Sequence, residues 1–160
     1  VGQKYPSMMR KLILYGSIYD SEVVYPREPL FVTEEKGERD VVCNTYDGAV
    51  EDFTLEGSIT PEAARWFGEN ALFCDPVKAR WRSLHEFNEC EPGRVKVPTL
   101  VVAGDQDPYA PLRVQADLFL NLGRGRDRMW SVMTGVDHAI HMLETRDKFI
   151  KIIADYVESH

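Results

Sequence analysis

Two short stretches of this sequence hold side chains that could carry out acid-base chemistry together. One reads Gly104-Asp105-Gln106-Asp107-Pro108-Tyr109-Ala110-Pro111, the other Gly135-Val136-Asp137-His138-Ala139-Ile140-His141-Met142-Leu143-Glu144. A histidine acting as general base must be held in one tautomer. A buried carboxylate on its second ring nitrogen does this and stabilises the imidazolium that forms later. Asp107 and His138 have the types for those roles, and their 31-residue separation leaves room for one helix and one strand.

The elements around these stretches are those that would bring them together. Lys11 to Tyr15, Pro98 to Ala103 and Arg128 to Thr134 are short, mostly apolar runs that stop at Gly16, Gly104 and Gly135. Runs of this kind read as strands of a parallel sheet buried on both faces. Pro111 opens a helical pattern of Val114, Leu118, Phe119 and Leu122 that Gly123 closes, which makes a crossover between the second and third strands. Phe149, Ile150, Ile152, Ile153, Tyr156 and Val157 recur at helical spacing and should lie on the sheet as a terminal helix. In an open parallel sheet reactive groups gather beyond the carboxyl ends of the strands, where both stretches fall.

Residues 17–97 have a different texture. Thr60-Pro61 and Asp75-Pro76 each read as a cap followed by proline at the first helical position, with Trp66, Phe67, Val77, Trp81 and Leu84 as apolar faces. Glu34 to Asp40 reads as a charged loop.

Each candidate also has a plainer explanation. Asp105 and Asp107 could cap the helix near Pro111, and His138 could bond a backbone carbonyl. His138, His141 and Glu144 could face one metal ion, but no second ligand cluster accompanies them. Trp66, Phe67, Trp81, Phe87 and Tyr109 read as packing rather than as a binding surface. Cys43, Cys74 and Cys90 are widely spaced, and buried free thiols in a reducing compartment are expected.

The run Pro98 to Pro111 resembles the acid loop of α/β-hydrolases, in which the aspartate three residues after the glycine is the triad acid. Gly135 to Glu144 resembles the histidine loop of the same family. The resemblance implies Asp107 rather than Asp105 as acid, and His138 rather than His141 as base. It also implies a partial α/β-hydrolase fold of about three parallel strands with flanking helices and an inserted helical cap. Residues 1–16 would follow the nucleophile region, 17–97 would be the cap, and 98–160 would be a βαβα unit carrying acid and histidine. The implied activity is that of a serine hydrolase of esterase or lipase type, acting on a small ester-like substrate without a cofactor or metal.

The family's nucleophile sits in a G-x-S-x-G elbow between a strand and a helix. No such motif occurs here, and Ser17 follows Gly16 without the second glycine or the helix. The expectation is a C-terminal portion of a hydrolase, inactive as the isolated chain and either trimmed or never a full reading frame, since it opens on Val1. The alternative is a noncatalytic half-domain that forms a homo-oligomer through the exposed edge of its first strand.

Composition narrows the remaining possibilities. With 19 basic and 26 acidic side chains the net charge is -7, which repels nucleic acid and anionic membranes. The 160 residues suffice for a real core, and no apolar run is long enough to span a bilayer. A cytoplasmic location follows as the expectation.

Overall fold

The computed structural model describes residues 1–17, 19, 43–77, 91–124 and 127–159. Its centre is one parallel sheet of three strands in the order β1-β2-β3. β1 spans Leu12–Tyr15, β2 Thr99–Gly104 and β3 Arg128–Met133. The pairing runs from Leu12 opposite Thr99 to Tyr15 opposite Val102, and from Thr99 opposite Arg128 to Gly104 opposite Met133. These strands fall within about a residue of the glycine-ended runs expected from sequence.

The central strand explains why its sequence does not alternate. Both edges of β2 are paired and all six of its residues are buried. Leu100 and Val102 face a core with Met133, Ile140, Leu143, Phe149 and Tyr156. Val101 faces the opposite way, onto Leu118 and Leu122. A strand covered on both faces needs apolar residues at every position, and each large one buried contributes about 1.5–3 kcal/mol.

Helices supply the two covers. α1 spans Tyr46–Val50, α2 Pro61–Cys74, α3 Leu112–Asn121 and α4 Arg146–Glu158. α3 joins β2 to β3, as the Pro111 and Gly123 punctuation indicated. Phe149, Ile152, Ile153 and Tyr156 of α4 pack on the sheet at the spacing of one helical face. Ile150 and Val157, one position further round, are 57% and 54% exposed, so the buried stripe is narrower than the apolar pattern.

The helices before β2 depart further from expectation. Thr60 caps α2 by accepting from the Ala63 amide at 3.2 Å, with Pro61 in the first turn. Phe67 packs edge-on to Phe53, but Trp66 is exposed. Asp75 closes α2 and Val77 bridges Cys43 as extended chain, so no helix starts at Pro76, while residues 78–90 lie outside the described residues. A proline two residues past a helix end stops it as readily as one inside a new helix starts it, and here the stop prevails. Thr45 caps the unanticipated α1.

Cys43 and Cys74 are exposed rather than buried, because the bridge and the last turn of α2 both lie at the surface. The Glu34 to Asp40 loop, Trp81, Leu84, Phe87 and Cys90 lie outside the described residues. Among the described residues no helix is long and apolar enough to cross a membrane.

Candidate active site

Because β2 and β3 run parallel and finish side by side, the loops after them meet at one end of the sheet. Backbone and side-chain bonds knit the two loops together. The Asp105 amide donates to the Met133 carbonyl at 3.0 Å, and the Gln106 amide to the Val136 carbonyl at 3.0 Å. The Asp105 carboxylate in turn accepts from the Gly135 amide at 2.7 Å. At Gly104 a Cβ would lie 2.5 Å from the Val136 carbonyl oxygen, so the approach of these loops requires glycine.

This framework leaves Asp105 as a tie between loops and carries Asp107 across to the imidazole. Asp107 is 6% exposed. Its Oδ1 accepts from the amides of Tyr109 and Ala110, each at 2.8 Å, while its Oδ2 lies 2.9 Å from Nδ1 of His138. The capping role open to it from sequence is thus spent within its own loop, and α3 follows Pro111 without a side-chain cap. Burial pushes the Asp107 carboxyl up. The His138 hydrogen bond, the Ala110 and Tyr109 amides and the His138 charge outweigh that, and its pKa ends below the ordinary 3.8.

An ionised carboxylate can only accept, so Nδ1 of His138 carries the proton and Nε2 lies on the ring edge away from Asp107. The side chain is 33% exposed. The Tyr109 ring meets it edge-on at 5.3 Å between centroids, and the Tyr15 ring stacks alongside at 6.2 Å. The Tyr15 hydroxyl also donates to the His138 backbone carbonyl. Burial, opposed in part by backbone hydrogen bonds at Ile140 and His141, pushes the Tyr15 pKa up to about 12.

His141 stands behind this pair, with Nδ1 3.3 Å from the Tyr15 hydroxyl and the two rings edge to face. Burial first, and then the charge of His138, lower its pKa below 6.5. Glu144 points the chain elsewhere, its amide donating to the Ser58 carbonyl at 3.0 Å. Among the described residues no group of three or more histidine, cysteine, aspartate or glutamate side chains could hold a metal ion.

Two residues that hold the histidine were not singled out from the sequence. Tyr15 lies inside an apolar strand and reads as packing until its hydroxyl finds the His138 carbonyl. Asp137 sits next to His138, yet it is fully buried and accepts from the Ala139 amide at 3.0 Å, which sets the turn that presents the imidazole. Its place directly before a candidate base was the available signal.

No protein-family model matches this chain, and no curated protein sequence does. Solved structures do match. The monoacylglycerol lipase of Paleococcus ferrophilus superposes with a TM-score of 0.65 at 18% identity, over 98% of this chain and 61% of the lipase. A thermophilic esterase from Thermogutta terrifontis gives 0.64 at 17% identity, over 98% of this chain and 58% of the esterase. A peroxisomal α/β-hydrolase from Saccharomyces cerevisiae gives 0.54 at 15% identity, over 95% and 48%. The three-stranded parallel sheet with its flanking helices is therefore part of an α/β-hydrolase fold. The chain spans about three fifths of the length of the lipase and the esterase.

Proposed function

We propose that Asp107 and His138 are the acid and base of a catalytic triad in an esterase-like α/β-hydrolase whose nucleophile lies outside this chain. The observation that carries this reading is the 2.9 Å contact between Oδ2 of Asp107 and Nδ1 of His138 across the ends of neighbouring parallel strands. Nε2 then takes the proton of a nucleophilic hydroxyl as it attacks a small ester, and returns it to the departing alcohol. Asp107 keeps the ring in the required tautomer and stabilises the imidazolium. The described residues 43–77 are read as part of a cap, a reading supported by α1 and α2 falling between β1 and β2 in the chain.

The missing G-x-S-x-G motif and the three-fifths coverage of the matched structures both support an external nucleophile. Purified as it stands, the chain should not turn over short-chain p-nitrophenyl esters. Turnover that His138→Ala abolishes would mean that a nucleophile resides within these residues. The coding sequence upstream of Val1 should encode the elbow, and the extended polypeptide should hydrolyse those esters. An aspartate at the elbow position would redirect the chemistry away from esters.

One observation favours a second role for the isolated chain. Among the described residues β1 pairs only with β2, and beside it runs an apolar groove of about 560 Å³ lined by Leu12, Leu14, Val95, Leu118 and Leu122. An edge strand with unpaired amides and carbonyls invites another strand, so a second copy would join there. Size-exclusion chromatography with light scattering should then give a dimer or larger species at micromolar concentration, and a monodisperse monomer would refute it.

A further inference from the structure

We propose that Asp137 is a positioning residue through which the segment around Thr54 sets the geometry of the Asp107 and His138 pair. The inference rests on the reading of His138 as the base. Asp137 is fully buried, where carboxyl oxygens must find hydrogen-bond donors. Among the described residues no cation pairs with it. Oδ1 accepts from the Ala139 amide at 3.0 Å, while Oδ2 accepts from the Thr54 amide at 2.8 Å, the Thr54 hydroxyl at 3.3 Å and the Leu55 amide at 3.3 Å.

The two oxygens thus grip different parts of the molecule. Oδ1 closes the turn over His138, the residue between donor and acceptor, and so fixes the backbone from which the imidazole reaches Asp107. Oδ2 holds the stretch leading from α1 into α2. A second tie runs parallel, from the Glu144 amide to the Ser58 carbonyl at 3.0 Å. Phe53, immediately before Thr54, packs both on the sheet core and edge-on to Phe67 of α2, 5.2 Å between centroids. A shift of α2 therefore reaches His138 through Phe53, Thr54 and Asp137.

A carboxylate is the side chain that can accept on both sides at once. In Asp137→Asn one oxygen is replaced by an NH2 group, which faces donors on whichever side it occupies, so one grip is lost. Thr54→Val retains the Asp137 side chain and the residue 54 amide, and removes only the hydroxyl bond.

The test is NMR of the imidazole protons of the purified chain. In the native chain the Nδ1 proton of His138 should give a downfield signal that Asp107→Asn removes. Exchange of that proton with water should be about tenfold faster in Asp137→Asn, as expected from leaving a buried hydrogen-bonding group without its partner. Thr54→Val should accelerate it less, and Thr54→Ser should restore the native rate. A folded Asp137→Asn with lower thermal stability but native exchange would overturn the coupling alone. Should that variant fail to fold, native exchange in Thr54→Val would overturn it. Absence of the downfield signal from the native chain would overturn both the coupling and the triad reading beneath it.

Discussion

Gly16 lies directly against the ring of His138. A Cβ built on Gly16 would stand 2.8 Å from Cε1 and 3.3 Å from Nδ1 of the imidazole, and the residue has φ near +56°. The glycine that ends β1 therefore does two things at once. It adopts a left-handed backbone that other residues resist, and it leaves room for the imidazole over the sheet.

Gly16→Ala should consequently cost about 1–2 kcal/mol from the backbone alone. The added methyl group must also displace the ring. Thermal unfolding should show the loss of stability, and the downfield Nδ1 signal of His138 should weaken with it. An unchanged melting temperature together with a native signal would contradict the geometry.

Acid should unfold the chain partly through Asp107. Its carboxyl ionises more readily folded than unfolded, where the reference value is 3.8. The resulting stabilisation is present above that value and is lost as pH falls through the lower folded pKa. Between neutral pH and pH 4 the native chain should hold this contribution, and Asp107→Asn should flatten the decline below it. Denaturant melts at a series of pH values would reveal the difference in slope.

At the alkaline end Tyr15 behaves in the opposite sense. With its pKa pushed up to about 12 from 10.0, the neutral phenol is favoured by folding. Its contribution is full below pH 10 and disappears as pH rises through about 12. Burial also raises the Tyr156 pKa, so ultraviolet titration should find more than one late-ionising tyrosine, and Tyr15→Phe should remove one of them. That variant also loses the donor to the His138 carbonyl, a change of about 1 kcal/mol in stability.

The two histidines of the second loop should titrate as neighbours. Burial and the charge of His138 both hold His141 neutral below 6.5, so its contribution is present above that pH and lost as pH falls further. His138→Ala removes one of those two causes and should raise the pKa of His141 part of the way back. NMR titration of the carbon-bound ring protons would measure this, and no change or a further fall would argue against the close pairing.

The sheet was legible because its signals are local. A run such as Thr99 to Gly104 is apolar at every position and stops at a glycine, which one stretch of chain is enough to state. Asp107 and His138 could be paired because each follows such a run and the connection between them is a single helix. Asp137 could not be understood the same way. Its partners lie at Thr54 and Leu55, more than eighty residues away, and nothing near Asp137 encodes that distance. Likewise Asp75-Pro76 is ambiguous as text, since a proline beside an acidic residue suits both the start and the end of a helix. Only the bridge between Val77 and Cys43 decides it.

The pairing of Leu12 with Thr99 has a consequence for the order of assembly. β2 and β3 are joined through one short helix, whereas β1 must wait for a connection about three and a half times longer to close. The longer closure costs roughly 1 kcal/mol more in chain entropy, and contacts so remote in sequence form late. The C-terminal part of the chain should nucleate by itself, with acid and histidine loops already adjacent. The strand bearing Tyr15 and Gly16 then docks last, beneath a histidine whose turn is already made.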